Sequence, residues 1–269
     1  MLERDGAGWK ESRAPEEQSS EFLASTDGWF RPINLLTGPD GAIYVVDMYR
    51  EIIEDYSAIP RFLQQQYGLT KGIDRGRIWR VRPKPGHETD AIREGVLAFL
   101  MTGKHSVWGE VTALRLLGEA GDKKNVGTLR ELASSENGFR NHTTALYALD
   151  SAGVLEPSDV NSALQADDWG LRLLALRLGD RWMDEHAGLR ERIVAMVSDP
   201  DSAVRLQVAM SLGESSRPEA LEALAKMTHL HGDERWMDAA ILSSVSERSS
   251  ELLDELLRTQ DSNAKAKRL

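Results

Sequence analysis

Two periodicities divide this chain. Up to about residue 82 the apolar positions come in short runs with a period near two, and from about Ala91 they recur at helical spacing. The runs Trp29–Leu36 and Ala42–Met48 flank Gly38-Pro39-Asp40-Gly41. Proline second and glycine fourth suit a type I turn, so the pattern predicts a hairpin. Gly76–Arg82 alternates and predicts a closing strand. In the insertion Tyr49–Gly72, Pro60 bounds a short helix, Arg61–Tyr67, which Gly68 and Gly72 stop. Phe22-Leu23-Ala24 adds a short strand, and the polar residues 1–20 read as a loop or frayed strand. Pro83, Pro85 and Gly86 mark a linker.

The helical half repeats. Ala113, Ala145, Ala175, Ala209 and Ala240 each open a small-and-apolar step and lie 32, 30, 34 and 31 residues apart. Five copies near one spacing predict helix pairs stacked into an α-solenoid, each burying its apolar face on the next. The clearest pair has Asp199 as N-cap and Pro200 in the first turn, then the stripe Val204, Val208, Ala209, Leu212; Pro218 opens its second helix, Glu219–Thr228. Trp108, Trp169 and Trp236 precede their alanines by five, six and four residues, a repeat-locked spacing that predicts core packing. The expected fold class is mostly α: an α-solenoid preceded by a small antiparallel β unit. The β unit covers 1–84, a linker 85–91, about five helix pairs 92–258, and a frayed tail 259–269.

Composition narrows function by exclusion. The 269 residues carry a formal charge of −10, which argues against general binding to nucleic acid or anionic membranes. Residues 1–89 contribute −2 (12 basic, 14 acidic) and residues 90–269 contribute −8 (21 basic, 29 acidic). The absence of cysteine excludes disulfides, thiolate chemistry and covalently attached c-type haem. No apolar run reaches the ~18 residues of a membrane span. The first 20 residues lack the basic start and apolar middle of a signal peptide.

Charges inside the apolar strands are the best functional candidates. Arg31 lies in the first run and Asp47 in the second, and a buried charge must be paired or hydrogen-bonded. They are either partners in a core or lining of a polar channel. A ~60-residue β unit also buries too little apolar surface to stand comfortably alone. Either neighbouring blades cover it, as in a propeller, with the chain then truncated on its N-terminal side, or it docks on the helices.

The ordered set Ser25, Asp27, Trp29-Phe30-Arg31-Pro32, Gly38-Pro39-Asp40-Gly41, Tyr44, Asp47-Met48-Tyr49-Arg50, Ile59-Pro60 and Asp74–Arg80 resembles the last blade of a six-bladed propeller of the glucose/sorbosone dehydrogenase type. The combination with helical repeats resembles large exported bacterial proteins known as membrane-bound dehydrogenases, in which a propeller precedes HEAT repeats and a c-type haem domain. Asp-Pro-Asp-x-x-Val-Arg at 199–205 is similar to HEAT repeats of the lyase-like bacterial kind, with Arg172 at nearly the same place one unit earlier. The resemblance implies that Arg31, Asp47 and Arg50 would line a site for a PQQ-like quinone or substrate in the parent. There Arg31 would offer a bidentate donor and Asp47 would orient it. It implies a periplasmic or exported location. Without the earlier blades and a haem segment, this chain alone is expected to carry no catalytic residue and no turnover. The other reading, from the solenoid itself, is a self-contained scaffold with a β cap that binds a protein partner, the acidic balance favouring a basic one.

Remaining candidates read as structural. Arg75, Arg77, Arg80 and Arg82 with Lys71 and Lys84 suit a solvated strand edge. His229 and His231, beside Asp233 and Glu234, are a weak metal pair, and no metal site is expected. Asp167-Asp168 and Asp199/Asp201 read as helix caps.

Overall fold

A computed structural model describes residues 2–52, 56–69, 71–72, 74–82, 99, 107–120, 126–134 and 139–266. The expected linker at 85–91, together with His87 and His105, lies outside the described residues. The chain forms two compact units, Ala14–Leu116 and Met1–Arg13 together with Leu117–Leu269.

The Ala14–Leu116 unit carries the predicted hairpin. We number strands and helices along the chain, with β1 and β2 in the other unit. Strands β3 (Pro32–Thr37) and β4 (Ile43–Asp47) pair antiparallel, and β5 (Arg77–Val81) pairs with β4 to give the order β3-β4-β5. The register sets Leu35, Val45 and Trp79 in one row and Asn34, Val46 and Ile78 in the next, so successive rows face opposite sides. The turn closes as its residues require: Gly41 N–H donates to Gly38 O at 3.0 Å, and Asp40 Oδ1 accepts from Ala42 N. Glycine is obligatory at 38, where a Cβ would sit 2.2 Å from the Tyr44 ring. Helix α1 (Arg61–Tyr67) ends at Gly68 in the left-handed conformation, φ 64°, as a glycine C-cap should. Phe22 and Leu23 form a bend and Ala24 is irregular, not the strand expected of them, since no strand among the described residues pairs with them.

The larger unit is mostly helical, and the chain is mostly α. Helix α2 (Val107–Ala120) runs across the division between the units and α3 (Val126–Ser134) follows it; then α4 (Phe139–Ser151) and α5 (Pro157–Ala163), α6 (Trp169–Gly179) and α7 (Ala187–Ala195), α8 (Ser202–Gly213) and α9 (Pro218–His231), and α10 (Met237–Ser244) and α11 (Ser249–Ala266) form four successive pairs among the described residues. α4, α6, α8 and α10 pack in sequence as one layer, and α3, α5, α7, α9 and α11 as the other. The repeat alanines are buried, Ala113, Ala175 and Ala209 wholly and Ala145 and Ala240 nearly so. A Cβ at Gly213 would meet Ser244 Cβ at 2.6 Å, so α8 and α10 approach closely there. The last helix runs to Ala266, past the expected fraying point.

Of the two readings open for residues 1–20, strand holds over residues 2–11, which are paired and not frayed. β1 (Leu2–Asp5) and β2 (Gly8–Glu11) form a hairpin whose two-residue turn places Gly6 at φ +60°. Glycine at the first central position is the signature of such turns. This hairpin belongs to the helical unit.

Candidate functional site

Asp47 is 1% exposed and serves as a hydrogen-bond hub. Its Oδ1 accepts the Arg31 backbone N–H at 2.8 Å and that of Tyr49 at 2.9 Å, while Oδ2 accepts Trp79 Nε1–H at 2.9 Å. Burial works against its charge. The Trp79 indole, the two backbone donors and the nearby Arg77 outweigh that and hold the carboxyl below the ordinary value. The Arg31 and Asp47 side chains are therefore not an ion pair with each other. Arg31 instead ties three carbonyls, Gly28 O at 2.7 Å, Phe30 O at 3.1 Å and Glu51 O at 2.8 Å. Arg50 differs, its Nε being buried without a hydrogen-bond partner among the described residues.

The basic stretch is divided between faces. Arg77 stacks on Tyr49, 3.5 Å from the ring centroid, and Arg80 is ion-paired with Asp40. The sheet leaves large apolar side chains in solvent on both faces: Leu35 and Trp79 on one, Leu36 (56% exposed) and Ile78 (68%) on the other.

In the helical unit, arginines tie each repeat to the next. Arg130 pairs with Asp159, Arg172 with Asp199 and Arg205 with Glu234, at spacings of 29, 27 and 29 residues. The central pair is bidentate, 2.8 Å at both contacts, and both side chains are nearly buried. Asp199 is thus the acceptor for Arg172 and not the N-cap of α8. That cap is Asp201, whose Oδ1 accepts from Ala203 and Val204 N–H. Asp168 does cap α6.

The repeat tryptophans are not core. Trp236 is 58% exposed and Trp108 37%, and Trp169 is half-buried. They sit at the starts of α10, α2 and α6, where a regular sequence spacing carries no burial. Two of them meet arginines. Arg4 lies 3.9 Å above the Trp169 ring, and Arg235 lies 5.5 Å from that of Trp236. Arg4 also grips Asp201 through Nη1–Oδ2 at 2.7 Å and Nη2–Oδ1 at 2.6 Å, and Arg235 reaches Asp5 at 2.9 Å. The signal for this docking was the Asp5-Gly6-Ala7-Gly8 turn between Leu2 and Trp9, which marks a hairpin without saying where it rests.

His231 Nδ1–H donates to Glu234 Oε1 at 2.8 Å, and the described residues hold no group of three or more His, Asp or Glu able to bind a metal. One buried carboxyl stands apart. Asp180, at the end of α6, has a buried Oδ1 without a hydrogen-bond partner among the described residues. Burial pushes its pKa up to about 6, with Glu214 adding and Ser211 and Arg177 opposing.

Comparison with known families matches residues 159–245 to HEAT repeats and residues 1–85 to a domain of unknown function, DUF7133. Comparison with curated proteins gives no match. Residues 159–245 are thus similar to HEAT repeats, and HEAT repeats suggest a scaffold or interaction role. No helix of the described residues is long and apolar enough to cross a membrane.

Proposed function

We propose that this chain is the junction of a larger propeller–HEAT protein, with residues 22–82 as one blade and the solenoid as an interaction and spacing scaffold. The observation that carries it is the three-stranded sheet with Leu35 and Trp79 on one face and Leu36 and Ile78 on the other, all partly in solvent. Blades of a propeller cover such faces for each other. In that setting the parent is an exported, periplasmic oxidoreductase acting on a sugar or alcohol through a PQQ-like quinone. Arg31 and Asp47 then latch the blade, and Arg50, with a donor to spare, is the residue best placed to meet an anionic cofactor or substrate group. The chain alone has no turnover in this reading.

The test is to produce the chain with and without the polypeptide encoded immediately upstream, following amide exchange over Pro32–Thr37 and dye binding to the exposed apolar faces. Protection of β3 and loss of dye binding in the longer protein support the blade. A stop codon directly upstream, or unchanged exchange and dye binding, sinks it. A second reading, a self-contained HEAT scaffold with a β cap, is favoured by the residues 2–11 hairpin docked on the helices.

A further inference from the structure

We infer that Trp169 and Asp201 form an arginine socket on the HEAT repeats, filled in cis by Arg4, and that the β1–β2 hairpin is a releasable latch over it. The socket's ligand in trans is an arginine-bearing extended segment of a partner polypeptide. This deepens the scaffold reading, on which the trans partner rests; the socket and latch stand on geometry alone.

The socket recognises arginine in two ways at once. The Trp169 face lies 3.9 Å from the Arg4 guanidinium carbon, and both Asp201 carboxylate oxygens accept from it at 2.6–2.7 Å. A planar fork that stacks and pairs bidentately is matched by guanidinium and not by ammonium. Asp201 is preorganised for the task. As N-cap of α8 it is held by two backbone N–H groups, so its carboxylate is fixed before Arg4 arrives. The Arg4 side chain is 29% exposed and Asp201 17%, so the contact is partly shielded, although β1 itself is in solvent.

The latch is built to let go. The hairpin spans the N-terminal ends of α6, α8 and α10, three successive repeats, through Arg4 at Trp169 and Asp201 and through Asp5 at Arg235. These are ionic and stacking contacts near solvent, of the kind that salt weakens. Leu2 and Trp9 remain 63% and 54% exposed, so no apolar anchor holds the hairpin down. Trp236, beside Arg235, has φ 68°, a left-handed conformation that a bulky residue rarely adopts, so the local backbone is strained while Arg235 reaches Asp5. The hairpin falls within the DUF7133 match and its socket within the HEAT match.

The experiment uses the full chain, its Arg4→Ala variant, and a fluorescent synthetic peptide of residues 2–11. In Arg4→Ala, amide exchange over 2–11 should accelerate at least about tenfold, and the variant should bind the peptide at least about tenfold more tightly than the wild-type chain, whose socket is filled. Replacing the peptide's own arginine by lysine should weaken binding severalfold, and by alanine should abolish it. Arg4→Ala/Trp169→Ala, which leaves the Asp201 cap in place, should also fail to bind. Unchanged exchange in Arg4→Ala overturns the latch. Equal peptide binding by both chains, or binding by neither, overturns the socket. A wild-type dimer that Arg4→Ala dissolves would give the socket to a second copy and overturn the cis arrangement. Failure of the blade reading leaves every one of these readouts in place, because none involves β3–β5.

Discussion

The sheet unit and the HEAT unit solve the burial of apolar surface in opposite ways. In the HEAT unit each helix pair is covered by the next, and Leu146, Leu176, Leu212 and Leu224 are essentially inaccessible. In the sheet unit only Ala42 and Val45 among the strand and turn residues are buried apolar side chains, and the outer rows stay in solvent. Polar chemistry follows the same division. The HEAT unit spreads its ion pairs along the stack, Arg130–Asp159, Arg181–Asp150, Arg172–Asp199 and Arg205–Glu234, whereas the sheet unit concentrates on one carboxylate, Asp47, that gathers three donors. A repeat supplies its own neighbour; a single blade must be given one.

The largest effect should come from Arg172→Ala. It strands Asp199 in a nearly dry junction, and removing one partner of a buried pair costs about 3–5 kcal/mol. Denaturant unfolding followed by helical circular dichroism should show that loss with the sheet unit's tryptophan signal unmoved. Simultaneous loss of both signals would mean that the two regions unfold as one, and the comparison would break.

Asp47→Asn is the matching cut in the sheet. An amide cannot accept from all three donors, so a loss of about 2–3 kcal/mol is expected, read from Trp79 fluorescence. The pH dependence has a definite sign. The folded carboxyl lies below its unfolded value of 3.8, so its contribution is fully present above that value and disappears as pH falls through the lower, folded pKa. Asp47→Asn should flatten that acid limb of the sheet's stability curve. An unaltered acid limb would remove Asp47 from its role as hub.

Asp180 has the reverse sign. Its folded pKa of about 6 exceeds the reference 3.8, so this group favours folding most below pH ~4, and that advantage is lost as pH rises through 6. Asp180→Asn should stabilise the HEAT unit at pH 7.5 by roughly 1–2 kcal/mol, after screening by the solvent that still reaches the site. At pH 4 it should change little. Equal stabilisation at both pH values would show that the carboxyl's charge is not the cause.

The smallest effect belongs to the sheet's outer faces. Leu36→Thr with Ile78→Thr should alter the stability of the isolated chain by less than about 0.5 kcal/mol per site, because both side chains are already in water. The same pair should cost several times more in a longer protein whose neighbouring blades cover them. Equal small costs in both contexts would remove the contrast between a self-covering array and a blade.

Much of this architecture was legible before any coordinates, because period and turn chemistry are local. The β3–β4 hairpin, β5, the Arg61–Tyr67 helix with its Gly68 stop, and the alanine-marked helices follow from spacing alone. The misreadings share one cause. Trp108, Trp169 and Trp236 recur at repeat spacing, which fixes position along a repeat but not direction toward the core. Asp199 resembles a cap until the turn before α8 turns it toward Arg172, one repeat earlier in the chain.

By itself, then, the sequence determined most of the elements, the change of period, the repeat length, and the need of Asp47 and Arg31 for hydrogen-bond partners. Only the tertiary structure decided who those partners are: two backbone N–H groups and an indole for Asp47, three carbonyls for Arg31, and for Arg4 an aromatic ring and a carboxylate 165 and 197 positions away. Periodicity is written in neighbouring residues, whereas the choice among many possible charged partners is made only when packing has brought a few of them within reach and excluded the rest.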